Sequence, residues 1–400
     1  MAKCNVNTNE RFADIQMLRY ELKGFEDLSL NQKLYIFCLA KATLMGRDIT
    51  FDQQGKYNLR IRKTLETVYL HYEGDRECEE FKAFEVYLKR IWFASGIHHH
   101  YGCEKFKPGF SEEYFYHLLE NIGEELLPIK RGETKEDLMR QLESILFDPV
   151  VMPKRVNQTD GEDLVQTSAC NFYEDVTQEE VERFYAKMKN TDNPNPPSYG
   201  LNSKLTKRNN EVVEMTWKED GLYGETIREI VSWLLKAQKY AENEGQKHVI
   251  DLLVKFYRTG SLEDFDRYSI AWVEQHEGLV DFINGFIEVY GDPLGMKGTW
   301  EGIVEYKDLE ATKRTQTISQ NAQWFEDHSP VDPRFRKPEV KGVTANVICA
   351  AMLGGEEYPA SAIGINLPNS NWIRQEHGSK SVTIGNLTDA YNKAAQGNGF

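Results

Sequence analysis

A carboxylate and a phenol stand two residues apart in Asn284 to Asp308, NGFIEVYGDPLGMKGTWEGIVEYKD. Glu288 and Tyr290 interrupt an otherwise apolar run, and on a strand that spacing turns both toward one face. A carboxylate pairs with a charged amine, and a phenol donates to a developing negative charge. Gly-Asp-Pro-Leu-Gly, Gly291 to Gly295, follows with turn chemistry, in which Asp292 is expected to order the turn. Thr299 to Tyr306 alternates again as a second strand. The pair could grip a polar ligand ahead of a tight turn. The same residues also fit a surface hairpin whose Tyr and Glu satisfy each other.

A second stretch, Gly364 to Asn369, reads Gly-Ile-Asn-Leu-Pro-Asn and is followed by Arg374 and Gly385-Asn386. Asn offers a donor and an acceptor together, as an extended peptide does. Around Pro368 the two Asn also suit a turn. Taken with Asn284 to Gly302, Trp92 to Pro108 (WFASGIHHHYGCEKFKP), Ser198 to Ser203 (SYGLNS) and Trp233 to Asn243 (WLLKAQKYAEN), these segments resemble the dipeptidyl peptidase III family. That family comprises zinc-dependent exopeptidases that remove dipeptides from peptide N-termini. The resemblance covers most of the chain and is strongest to the bacterial branch.

The resemblance implies roles for particular residues. Glu288 would pair with the substrate's N-terminal ammonium, with Glu301 assisting. Tyr290 would be catalytic, donating to the oxyanion. Asn366 and Asn369 would bind the substrate backbone, and Arg374 would pair with a cleft carboxylate or sit in a structural ion pair. The substrates implied are short peptides, and the cofactor is one zinc ion. The implied fold is α+β, mostly helical with a β-barrel-like subdomain, in a two-domain metallopeptidase architecture incomplete in this chain. Residues 1–308 would form the first part of a mixed lower domain. Residues 309–341 would be the first segment of a helical zinc-bearing domain, and 342–400 a return to the β-containing domain.

One departure is large. The family's zinc helix carries His-Glu and a second His one turn later, but after His276-Glu277 positions 280 and 281 are Val280 and Asp281. The inverted pattern ending Glu376-His377 fails at Ile373. The expectation is therefore an N-terminal portion, ending at Phe400 before the zinc helix, that holds the substrate-binding half and is inactive alone. The alternative is a non-catalytic peptide-binding module or inactive fragment.

Composition narrows the classes. A net charge of −15 argues against a nucleic-acid binder, which must neutralise phosphates. No apolar run reaches the ~20 residues needed to span a membrane, so no membrane partner is expected. Six cysteines, Cys4, Cys38, Cys78, Cys103, Cys170 and Cys349, are scattered without a C-x-x-C pair, which suits a reducing compartment. The polar N-terminus lacks the apolar core of a signal peptide, so the cytoplasm is expected; an exported protein with its signal removed would read the same. Oligomeric state is not encoded in any feature of the sequence.

The remaining elements serve to position these residues. Helical spacing predicts helices over Phe12 to Ala42, Ile61 to Tyr72, Phe81 to Phe93, Ser111 to Leu127, Glu136 to Leu146, Gly224 to Ala241, Leu262 to Glu277 and Leu309 to Asn321, and Thr177 with Glu180 makes a capping box. Asp48 to Leu59 breaks the pattern. His98-His99-His100 cannot converge on one metal from adjacent positions and reads as a loop lining a cleft. Asn190 to Pro197 is a linker, and His328 to Val343, with three prolines, a connector. Glu242 and Glu244, between two helices that pair antiparallel, read as solvated or capping. Val343 to Met352 and Val382 to Ile384 read as strands.

Overall fold

The computed structural model describes residues 10–189, 192–340, 343–358 and 362–395. The junction expected at 341–342, the first two residues of the expected linker and residues 396–400 lie outside them. Strands β1 (Arg11–Phe12) and β2 (Ile15–Gln16) pair as a short ribbon. Helix over Phe12 to Ala42 is thus corrected: the helix α1 (Leu30–Met45) starts only after Leu28 and Ser29, whose extended backbone keeps it from continuing backward. Ser29 and Gln32 close a capping box there. The polar stretch at 48–59 is corrected too. It forms α2 (Arg47–Gln53) and the start of α3 (Asn58–His71), with the break confined to residues around Gly55.

Helices α4 (Glu79–Ala94), α5 (Glu112–Glu120) and α6 (Lys135–Phe147) join α3 around one apolar core that includes Leu65, Phe84, Phe115 and Leu142. Ser111 caps α5 as expected, but that helix ends at Glu120. The long loop after α6 leads to β3 (Tyr173–Glu174) and α7 (Gln178–Ala186), which opens on the expected Thr177–Glu180 capping box. β4 (Ser203–Arg208) and β5 (Glu211–Thr216) complete a small sheet of order β3-β4-β5 that the sequence did not announce.

α8 (Gly224–Gln238), α9 (Glu244–Thr259) and α10 (Leu262–Glu274) follow, and each packs on the next. Glu242, in the break between the first two, is an anchor: its carboxylate accepts the backbone N–H groups of Leu279 and Val280 at 2.8 and 2.9 Å. Those two residues lead into β6 (Val280–Glu288), which turns back as β7 (Thr299–Lys307). The chain then leaves the sheet through α11 (Leu309–Gln320) and α12 (Ala322–Asp327) and re-enters as β8 (Val343–Gly355). β9 (Gly364–Leu367), α13 (Asn371–Glu376), β10 (Ser379–Ile384) and α14 (Gly385–Ala395) finish it.

The five-stranded sheet has the order β6-β7-β8-β10-β9, antiparallel except for the parallel β8–β10 pair. Among the described residues it is open, which corrects the expectation of a barrel. At one edge the Trp272 indole of α10 donates to the Phe282 carbonyl of β6 at 2.9 Å. At the other edge, β9 spans only four residues. Among the described residues helix makes up 46% and strand 16%, so the mixed α+β expectation holds, with helix predominating over strand. α1 lies on the sheet where glycines let it approach: a Cβ on Gly46 would stand 2.2 Å from the Trp300 ring, and one on Gly354 would stand 2.7 Å from Thr43.

Candidate functional site

β6 and the turn after it carry the first two residues. A register shift between Phe286 and Glu288 breaks the regular pairing with β7, and such a bulge re-aims the side chain that follows it. The strand ends at Glu288, so Tyr290 stands in the turn rather than on the strand face expected for it. Both nevertheless line the same two cavities. Tyr290 is 78% exposed, its ring presented to solvent above a rigid base. That base is Asp292, whose carboxylate accepts the N–H groups of Leu294, Met296 and Lys297 and the hydroxyl of Tyr173. Asp292 therefore orders its turn, as the sequence suggested. The loop's far end is fixed by the fully buried Lys297, whose ammonium donates to Tyr185 and, at 3.0 Å, to Ser203.

The second pair arrives on the crossover between β8 and β10. β9 pairs Asn366 with Ser381, and the turn through Pro368 brings the Asn369 amide to within 3.2 Å of the Glu288 carboxylate, to which it donates. Glu288, Tyr290, Asn366 and Asn369 thus line one cavity of about 640 Å³. The loop at His98-His99-His100 reaches the same space: His100, Tyr101 and Cys103 line it. His98 does not. It is buried, its Nε2 lies 2.8 Å from the Met152 carbonyl, and burial pushes its pKa down to about 4. Arg374 sits on α13 and, unlike Asn366 and Asn369, lines neither cavity.

Three carboxylates gather with Glu288. Gly355, at φ 69°, ends β8 where a Cβ would stand 2.0 Å from the Trp300 carbonyl oxygen, so only glycine fits. That turn delivers Glu356 and Glu357 to the cavity wall. Glu301, opposite Gly355 on β7, is 1% exposed, and its Oε2 has no hydrogen-bond partner. Burial holds its pKa well above the ordinary value, and the nearby Glu357, Glu288 and Glu356 add to the shift. Burial likewise raises Glu288, opposed by the Asn369 amide, and raises Glu356, opposed by Arg155. Sequence reasoning missed Glu356, Glu357 and Arg155; the Gly-Gly-Glu-Glu run at 354–357 was the available signal. An acidic pole beside an exposed phenol and paired amides can receive a cation, donate to an anion and hold an extended backbone.

These shifts have a stability consequence. A carboxyl whose folded pKa is raised stabilises the fold fully below its unfolded pKa near 4.5, and that contribution is lost as pH rises toward the folded value. Each such group costs about 1.4 kcal/mol per pH unit in that window. Glu301→Gln keeps a neutral side chain at all pH values. Urea unfolding between pH 5 and 7 is therefore expected to show a shallower decline for the variant than for the parent. Equal slopes would mean that Glu301 titrates normally.

Among the described residues, no group of three or more His, Cys, Asp or Glu side chains is placed to hold a metal ion. The Nδ1 of His377 lies 2.8 Å from the Glu274 carboxylate, a single hydrogen-bond contact between two side chains. The residues present do not fit a zinc ion.

Comparison with known proteins agrees with the resemblance seen in the sequence. The model for Peptidase family M49 matches residues 171–399. Dipeptidyl peptidase 3 of Rattus norvegicus is 26% identical over 404 residues, covering 91% of this chain and 53% of its own length. The Homo sapiens protein of the same name is 24% identical over 397 residues, with the same coverage. The solved structure of DPP III from Caldithrix abyssi superposes with a TM-score of 0.65 at 17% identity, covering 92% of this chain and 57% of that one. The chain spans about half the length of the curated relatives it matches. With more than half its residues under the family model, the chain belongs to peptidase family M49.

Proposed function

We propose that this chain supplies the peptide-binding half of a zinc-dependent dipeptidyl peptidase, holding the free N-terminus of a short peptide at Glu288. The observation that carries the reading is the shared cavity. A half-buried carboxylate, an exposed phenol and two amides from a separate loop face one space, and Asn369 bridges the loop to the carboxylate. In this reading Glu288 pairs with the ammonium and Glu301 sets the local charge behind it. Asn366 and Asn369 hold the backbone, and Tyr290 donates to the oxygen that gains charge when the peptide bond is attacked. The metal supplies an activated water when bound, but its ligands are not among the described residues, and no step of these residues depends on it.

Residues 309–341 belong, in the same reading, to a second domain. Leu309, Ile318, Trp324, Phe325 and Phe335 are each at least 50% exposed there, with the Trp324 and Phe325 rings in contact.

The test is calorimetric titration of the 400-residue chain with tetra-alanine and with its N-acetylated form. The free peptide is expected to bind, and the acetylated one to bind at least about tenfold more weakly, because an uncharged amide leaves the carboxylate unpaired. Equal affinity for the two forms would reject the reading.

A further inference from the structure

Asp281 and Lys380 stand on strands that are not neighbours. β7 and β8 lie between β6 and β10, and in a flat sheet those three steps would hold the outer two about 14 Å apart. Yet the Lys380 ammonium lies 2.8 Å from the Asp281 carboxylate. The open sheet is therefore curled, and this pair spans the curl. Lys380 is buried, and its ammonium lies 4.3 Å from the centroid of the Trp272 ring. The same indole donates to the Phe282 carbonyl, beside Asp281. Glu305, opposite Asp281 on β7, is buried as well. Burial, with the Asp281 charge adding, pushes its carboxyl up to about 8, so near neutral pH Glu305 leaves the Lys380 charge to Asp281.

These two strands lead to the two sides of the site. β6 ends at Glu288. β10 lies against β9, with Lys380 opposite Leu367 and Ser381 opposite Asn366. We propose that Lys380 is a positioning residue, whose ion pair with Asp281 sets the spacing between Glu288 and the amides of Asn366 and Asn369. The inference rests on the reading that Glu288 holds a peptide's ammonium.

Backbone pairing alone fixes that spacing loosely. β9 is an edge strand, and the route from it to β6 passes through every other strand of the sheet. Both junctions of β7 carry a register shift, and twist accumulates from strand to strand. A tie across the curl removes that freedom. Two other contacts cross the same gap, His377 to Glu274 and Asn369 to Glu288, but both are exposed to water, where such contacts hold geometry weakly. The Lys380 pair is shielded, and a shielded pair favours one geometry even where it adds little net stability. Neither Lys380 nor Asp281 lines either cavity, so any effect on binding must pass through the residues they place.

The experiment titrates tetra-alanine into the 400-residue chain carrying Lys380→Met and Asp281→Asn together. Removing both charges leaves neither one buried and unpaired, so the fold is expected to survive. Affinity is expected to fall about tenfold. Asn369→Ala is expected to cost about tenfold in the parent and no more than about twofold in the double variant, because a misplaced amide has little left to lose. A merely structural change would instead add to it. Parental affinity in the double variant overturns the proposal, and so does simple addition of the two effects. Loss of cooperative urea unfolding in the double variant also overturns it, since the pair would then hold the fold rather than the site. If the parent prefers free over acetylated peptide and the double variant binds like the parent, this inference alone falls. If the parent binds no peptide, the assignment of Glu288 falls, and this inference falls with it.

Discussion

Glu288→Gln is expected to weaken binding of a free peptide N-terminus by about 30-fold, the low end of the range for removing one member of a desolvated charge pair. The lower end applies because Glu288 is only half-buried and Asn369 continues to hold the loop beside it. The pH dependence gives the prediction a second reading. Binding needs a carboxylate on the protein and an ammonium on the peptide. Glu288 begins with a raised pKa because burial disfavours its charge, so affinity in the parent rises with pH as that group ionises. It then falls near pH ~8 as the peptide's α-amine loses its proton. The variant should keep the alkaline limb and lose the acidic one. Calorimetric titrations from pH 5 to 9 with tetra-alanine would measure both effects. An unchanged affinity, or an acidic limb that persists in the variant, would remove Glu288 from the site.

The largest stability effect is expected at Trp300. It is fully buried on β7, its ring lies where Gly46 leaves room, and its indole N–H lies 3.2 Å from the Tyr257 hydroxyl. Its backbone N–H donates to Gln53, which in turn donates to the Gly298 carbonyl. One residue thus ties α1 and α2 to the strand that follows the Tyr290 turn. Trp300→Ala removes a large ring from a close-packed core and should cost about 3–5 kcal/mol in urea unfolding. The partner test is non-additivity. Gly46→Ala clashes with the ring in the parent and should be strongly destabilising, yet it should cost little more once the ring is gone. A Trp300→Ala loss below about 1 kcal/mol, or simple addition of the two effects, would mean that the junction is held elsewhere.

The parts of the structure legible in the sequence were those with a local cause. The Thr177–Glu180 capping box, the Ser111 cap and the Asp292 turn each follow from side chains bonding to backbone within a few residues, and they lie where spacing put them. The Glu288 and Tyr290 pair was legible as a pair, but its strand geometry was not, because the bulge after Phe286 depends on pairing with β7. The glycine turn at Gly355 showed only as a Gly-Gly-Glu-Glu run for the same reason: its cause is the Trp300 carbonyl, distant in sequence. Glu356 and Glu357 were therefore not singled out. Helix was expected too early, before Leu30, because periodic apolar residues there also suit a two-strand ribbon.

The parallel pairing of β8 with β10 carries a consequence for how such a site changes over time. Parallel neighbours require a crossover, and here that one excursion, residues 356–378, contributes Glu356, Glu357, Asn366 and Asn369 together. The phenol and Glu288 come from a different hairpin. Exchanging the excursion between homologues would transplant acids and amides as one cassette while leaving the hairpin untouched. The acids and amides on one side and the phenol on the other can thus drift separately, with the Asn369–Glu288 contact as the seam where the two inheritances must stay compatible.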